Sequence, residues 1–238
     1  MPPPVGKQRQ GISQRTWLIG GGAAAAVAVV VVLVIVLTGG GGASVPVEAL
    51  STLGTLQPAV MPQTPGPEGI PIPTAPALAS VGTANSGQPV DGVECNAGEQ
   101  VAYHIHIRLT VFDDGKPRQI PYGIGIDPPR NVQQTPDGPF VVAGQCFYWL
   151  HTHAADGIIH VESPTERTYT LGNFFDVWHE PLSASHVGPL TGHVTALYDG
   201  KVFVGNPRAI PLKPHAQIQL EVGRPLVKPV SISNWNGL

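Results

Sequence analysis

The chain has 238 residues, with 13 Lys and Arg against 16 Asp and Glu, a formal net charge of −3 and only 12% charged residues. Apart from Lys7, Arg9 and Arg15 near the N-terminus, no basic cluster occurs. That balance excludes nucleic-acid binding driven by phosphate neutralisation.

Residues 1–16 hold those three cations and no acid, and read as a cytoplasmic basic tail. Residues 17–37 carry no charge and are dominated by Ala, Val, Ile and Leu. About 20 apolar residues span a bilayer, so this run predicts a single transmembrane helix. It exceeds the roughly 7–15 apolar residues of a signal peptide, and no clean small-residue cleavage site follows. The basic flank predicts a cytoplasmic N-terminus and an extracytoplasmic remainder at the cell membrane. The membrane is therefore one expected partner, and an envelope protein is a second that the sequence does not identify.

Residues 38–90 contain Glu48 and Glu68 as their only charges and are rich in Pro, Gly and Ala. Such a segment buries too little apolar surface to offset its ordering entropy, which predicts a disordered linker or stalk. A short helix over 47–56 is the one element expected within it.

From residue 91 the composition changes: all nine histidines, both cysteines and all five tyrosines lie beyond it. Residues 91–238 are the expected extracytoplasmic β-domain, of ordinary single-domain size. Over 101–111 the odd positions Val101, Tyr103, Ile105, Ile107, Leu109 and Val111 alternate with His104, His106, Arg108 and Thr110. This predicts a half-buried strand. Asp114-Gly115, Asp156-Gly157 and Asp199-Gly200 predict three two-residue hairpins, because a type I′ turn needs positive φ at both central positions. The third joins strands over 193–198 and 201–204, and 217–222 alternates again. Residues 121–145 and 181–192 read as proline- and glycine-rich loops able to frame a pocket. One short helix is expected, with Thr170 as its cap, Leu171, Phe174, Phe175 and Trp178 at helical spacing, and Pro181 beyond its end. The fold class is mainly β: an antiparallel β-sandwich or small barrel with one short helix. In an oxidising compartment, Cys95 and Cys146 predict a disulfide.

The central hairpin carries the chemistry. With Asp156-Gly157 as the turn, Ala155 pairs with Ile158, His153 with His160 and His151 with Glu162. Alternation puts His151, His153, His160 and Glu162 on one face, and Leu150, Thr152, Ile159 and Val161 on the other. Opposed Cβ atoms lie about 4.5–5.5 Å apart, so three imidazoles and a carboxylate there suit a transition metal. Zn, Cu and Fe all accept imidazole, and the spacing selects none of them. Glu162 could serve as ligand, orienter or base. His104 and His106 join this set if their strand neighbours the hairpin. The plainer alternative is a solvated histidine face on a metal-free envelope scaffold or protein-interaction module. His179, His186, His193 and His215 are scattered and read as structural. A blue-copper site through Cys146 and His151 lacks an axial methionine, since Met1 and Met61 fall outside the β-domain. No nucleophile elbow, phosphate loop, dinucleotide motif or H-E-x-x-H occurs, so no catalytic residue emerges.

Two resemblances rest on these residues. His151-Thr-His153, a turn and Ile159-His160-Val161-Glu162 resemble a cupin metal strand pair over 151–162. That resemblance implies a cupin-like metalloenzyme as an alternative function. Asp156-Gly157 interrupts the cupin spacing, so no particular activity is implied. The longer run comprises Cys95, His104-Ile-His106, Tyr122-Gly-Ile-Gly-Ile126, Cys146-Phe-Tyr-Trp-Leu-His-Thr-His153, Asp156-Gly-Ile-Ile-His160 and Thr170-Leu-Gly-Asn-Phe-Phe-Asp-Val-Trp178. Over 91–180 it resembles an uncharacterised group of bacterial extracytoplasmic proteins, often membrane-anchored. This second resemblance implies a compartment and a shared domain.

Overall fold

Two of the three Asp-Gly pairs turn as their chemistry dictates. Asp114 (φ 48°) with Gly115 (φ 74°), and Asp199 (φ 48°) with Gly200 (φ 72°), have positive φ at both central positions. They close two-residue hairpins with Asp113 opposite Lys116 and Tyr198 opposite Lys201. At the third pair only Gly157 has positive φ, at 84°.

The computed structural model describes residues 44–82 and 86–238. The expected basic tail 1–16 and transmembrane helix 17–37 lie outside the described residues. Among the described residues, no helix is long and apolar enough to cross a membrane.

The main sheet is built from β1 (Val47–Glu48), β2 (Tyr103–Asp113), β3 (Lys116–Arg118), β4 (Leu150–His151), β5 (Ile158–Ser163), β6 (Val194–Tyr198), β7 (Lys201–Phe203) and β8 (Gln217–Val222). Its order is β1-β7-β6-β8-β2-β5-β4, with β3 also pairing β2. The mainly-β expectation holds, but a wholly antiparallel barrel does not. The β2–β8 pair is parallel, and the sheet is an open path with β1 and β4 at its ends. Parallel neighbours need a long crossover, and residues 114–216 supply it.

One face of the sheet is apolar. Ile105, Ile107, Leu109 and Val111 of β2 align with Ile159 and Val161 of β5 and with Ile218 and Leu220 of β8. Leu150 of β4 lies opposite Val161. Helix α1 (Leu171–Trp178) contributes Leu171, Phe174, Phe175 and Trp178 to the same core. It starts as expected: the Thr170 hydroxyl accepts from Asn173 N, and the Asn173 side chain accepts from Thr170 N. This capping box satisfies two otherwise orphaned donors. The helix ends at His179, whose φ of 64° is left-handed, two residues before Pro181.

The opposite face was expected to be solvated, and it is covered. Residues 105–112 of β2 are all buried, so the half-buried strand is corrected to one enclosed on both sides. Part of the cover is the segment 225–232, held to β8 by side chains. Glu221 Oε2 accepts from Val227 N, Gln219 Oε1 from Val230 N and Gln217 Oε1 from Ile232 N, at 2.7, 2.8 and 2.7 Å.

The linker expectation over 38–90 is corrected for its described part. β1 pairs with β7 at the sheet edge, Gln57 N donates to Leu226 O, and Ile70 and Leu78 are buried in the domain. Mean composition failed because a few well-placed apolar residues and backbone pairings fix this chain. The helix expected over 47–56 is a single 3-10 turn, Leu50–Leu53. Of the two expected loops, 121–145 contains a hairpin of Asn131–Thr135 and Gly138–Ala143, and 181–192 contains three short paired strands. The Cys95–Cys146 disulfide is present, with Cα atoms 5.4 Å apart. It joins strand Cys95–Asn96 to the chain that starts its partner, Phe147–Tyr148.

Candidate metal centre

The hairpin register differs from the one the turn chemistry suggests. His151 lies opposite His160, and Leu150 opposite Val161, a shift of two residues. The cause is the role of Gly157. Its carbonyl accepts from Leu109 N at 2.8 Å, and a Cβ on it would stand 2.2 Å from Leu109 O. Asp156 Oδ1 accepts from Ile158 N at 2.9 Å. The Asp-Gly pair therefore begins the β5–β2 ladder instead of closing the β4–β5 hairpin. An even shift leaves every side chain on its face. His151, His160 and Glu162 still share one side, while His153 reaches them from the loop after β4. On the far side of β5, His160 pairs with His106 and Glu162 with His104. The neighbouring strand is thus the one expected, and five histidines converge.

His151, His153, His160 and Glu162 are all buried, and each offers a ligand atom within 4.8 Å of the others. His104, His106 and His160 form an overlapping set by the same measure. Burial overturns the solvated-face reading of these histidines, although the His104 side chain remains 38% exposed.

Hydrogen bonds fix which ring atoms are available. His151 Nδ1 lies 2.8 Å from Tyr148 O, and His153 Nδ1 lies 2.6 Å from Val141 O. A carbonyl can only accept, so both Nδ1 atoms carry the proton. In the neutral rings both Nε2 atoms are then bare lone pairs, and they face each other at 3.1 Å. His160 is anchored the other way. Its Nε2 lies 2.8 Å from Glu68 Oε1, which leaves Nδ1 3.5 Å from Glu162 Oε1. Glu162 Oε1 is also 3.9 Å from His151 Nε2 and 3.1 Å from His104 Nε2. A tetrahedral ion with bonds of about 2.0–2.1 Å holds its donors roughly 3.3 Å apart, close to these separations.

The electrostatics separate one imidazole from the rest. Burial first, then repulsion from His153 and His160, drives the His151 pKa far below its ordinary value. Burial and His160 lower that of His153. Burial, with His160 and His104, brings His106 down to about 3. Burial alone would also lower His160, but its contacts with Glu162 and Glu68 outweigh it and raise the pKa to about 9. Glu68 is the counterpart: burial raises it, yet the His160 bond leaves it below the ordinary carboxylate range. Asp156 is pushed well up, by burial first and then by Glu68.

A cleft of about 380 Å³ opens onto the cluster, lined by Glu99, His104, His106, Phe140, His153 and Glu162 among others. Of the two loops expected to frame a pocket, 121–145 lines the cleft through Phe140 and Val142 of its hairpin, and 181–192 supplies none of the lining residues. Sequence reasoning missed four residues here: Glu68, Glu99, Asp156 and Arg108. Glu99 Oε1 lies 3.4 Å from His153 Nε2. Arg108 is buried on the same β2 face, and its guanidinium nitrogens have no partner among the described residues. The one available signal for Glu68 was that it is one of only two acids in an otherwise uncharged segment.

Of the remaining histidines, His179, His186 and His193 are not among the clustered ligand groups, while His215 borders the cluster, its backbone N donating to His106 O at 2.8 Å. His179 caps α1, His186 Nδ1 meets the Ser183 and Ser185 hydroxyls, His193 O accepts from Gly223 N, and His215 Nε2 bonds Leu238 O. Cys95 and Cys146 also stand close to Asp127, but their sulfurs are joined, which removes both the thiolate ligands and the blue-copper reading.

No protein-family model, curated protein or solved structure matches the chain. Fold and site together define a mainly-β domain whose buried His/Glu clusters could hold a metal ion.

Proposed function

We propose that this domain binds a divalent transition metal, Zn, Cu or Fe, through His151 Nε2, His153 Nε2 and His160 Nδ1, with Glu162 completing the set. One observation carries the reading: two buried imidazoles turn bare Nε2 lone pairs toward each other at 3.1 Å. Neither can donate to the other while both Nδ1 atoms donate to carbonyls. A cation between them converts that repulsion into two bonds. Metal-bound histidines usually anchor the second nitrogen on a carbonyl or carboxylate. Tyr148 O, Val141 O and Glu68 fill those places here.

We further propose an extracytoplasmic location at the cell membrane, with 17–37 as a single-pass anchor. The disulfide supports an oxidising compartment, and the apolar run supports the anchor. The cleft favours a second reading, a cupin-like metalloenzyme, because it gives an ion at His153 and Glu162 access to solvent and small molecules.

The test is to strip the full chain with a chelator, incubate it with Zn²⁺, Cu²⁺ or Fe²⁺, desalt it and measure bound metal by mass spectrometry. The wild type retains metal, and His151→Ala combined with His153→Ala reduces the amount retained. A wild type that stays metal-free in all three incubations overturns the proposal.

A further inference from the structure

The cluster holds more donors than one ion can use. Five imidazoles and Glu162 fall into two overlapping sets, whereas a tetrahedral ion takes four ligands. Assigning His151, His153, His160 and Glu162 to one ion leaves His104 and His106 without a role. His106 Nε2 is buried and has no hydrogen-bond partner among the described residues. Burying a polar nitrogen without a partner is costly, so a conformation that does so points to a missing ligand.

Glu162 lies between the two sets. Its Oε1 is 3.5 Å from His160 Nδ1 and 3.9 Å from His151 Nε2 on one side, and 3.1 Å from His104 Nε2 on the other. Its Oε2 is buried with no partner among the described residues. The β5–β2 register produces this placement, because Glu162 pairs directly with His104 and His160 with His106. The His104 and His106 rings are 4.5 Å apart, and the His106 ring stands 4.6 Å from that of His160.

We infer that the centre is dinuclear: a second divalent transition-metal ion sits on His104 and His106, bridged to the first through the Glu162 carboxylate. The inference rests on the metal-binding reading above. A carboxylate bridge suits ions about 3.5–4 Å apart, the separation of two-metal sites that clamp attacking and leaving oxygens. Both ions border the cleft, and the second has the more exposed ligand. His104 is the most exposed of the five histidines, and His104 and His106 both line the opening. With only His104, His106 and the shared Glu162 assigned to it, the second ion has a coordination position left for a water or an oxygen-donor ligand from the cleft.

The test reads stoichiometry and coupling. The full chain is stripped, reloaded with Zn²⁺ or Cu²⁺ and desalted, and metal per protein is measured by mass spectrometry. The wild type is expected to hold two ions. Its Cu²⁺ form is expected to show less paramagnetic resonance intensity than its copper content, because neighbouring spins couple. His104→Gln with His106→Gln is expected to hold one ion at full intensity. One ion in the wild type overturns the second site and leaves the first standing, whereas none overturns both. Two uncoupled copper ions, or a double variant that keeps both, puts the second ion elsewhere and also overturns it. If the His106 substitution unfolds the chain by thermal melt, His104→Gln alone carries the test at a half-exposed position. That variant is expected to weaken the second ion at least tenfold, and unchanged affinity overturns the assignment.

Discussion

Glu68 Oε1 lies 2.8 Å from His160 Nε2, although 92 residues separate them in the chain. The contact joins a segment with almost no charge to the centre of the histidine face. It fixes one proton on Nε2, and Glu162 Oε1 at 3.5 Å from Nδ1, together with Glu68, favours a second proton on Nδ1 in the metal-free protein.

That proton gives stability a defined pH dependence. His160 holds it more tightly when folded, with a pKa raised from 6.5 to about 9. Its contribution is complete below pH 6.5 and is lost as pH rises through 9. His106 works in the opposite sense, because burial takes it from 6.5 to about 3. Its contribution is present above pH 6.5 and is lost as pH falls toward 3. Thermal melts of the metal-free chain should therefore fall on both sides of a maximum near pH 6.5. An ion bound at His160 Nδ1 takes the place of the proton, so Zn²⁺ should flatten the alkaline limb. A metal-free chain whose Tm rises between pH 6.5 and 9 would contradict the His160 assignment.

Glu68→Gln separates charge from shape. The amide can still accept from His160 Nε2–H, but it no longer raises the basicity of the ring. Losing such an outer carboxylate commonly costs about 10–100-fold in metal affinity. Competition against a chromogenic chelator should show a loss in that range with little change in the far-ultraviolet circular dichroism. Unaltered affinity would mean that Glu68 only packs against the ring.

Gly125 sets the position of β4 from behind. Its φ is +67°, and a Cβ there would stand 2.2 Å from Leu150 O and 3.2 Å from His151 Cα. Gly125 O also accepts from Tyr148 N at 2.8 Å. Gly125→Ala adds left-handed strain of about 1–3 kcal/mol to the clash. Both Tm and metal affinity should drop, because His151 moves with the strand. Gly98 has a clear surrounding and no positive φ. Gly98→Ala should therefore stay within about 0.5 kcal/mol of the wild type by denaturant titration.

The sequence was most legible where local chemistry had no competitor. Asp114-Gly115 and Asp199-Gly200 turn as their φ preferences require, and Thr170 with Asn173 caps the helix as its hydroxyl suggests. Asp156-Gly157 carries the same signal but obeys a tertiary demand, the close approach of Gly157 to Leu109. The histidine face survived that error only because the register moved by two residues. A shift of one would have turned His151 to the opposite face from His160. Glu68 and Glu99 were beyond reach for a different reason. Each enters the site from a segment without periodicity, and long-range packing alone places them there.

Reduction of Cys95–Cys146 should unsettle the site and the fold together. The bridge spans a sequence separation of 51 residues, and closing a loop of that length lowers unfolded-state entropy by roughly 4 kcal/mol equivalent at room temperature. Its local role adds to this. Cys146 precedes Phe147–Tyr148, which pairs with Cys95–Asn96, and Tyr148 O is the acceptor that orients His151. A freed bridge lets that carbonyl drift, and with it the direction of the Nε2 lone pair. Reduced protein should melt at lower temperature and bind Zn²⁺ more weakly than oxidised protein in the same buffer. Cys95→Ala with Cys146→Ala should reproduce both effects without reductant. Bound Zn²⁺ should in turn recover part of the lost Tm, because an ion that binds only the folded chain stabilises it by mass action. If the double variant loses Tm but keeps wild-type affinity, the disulfide supports the fold alone and Tyr148 O holds its place without it.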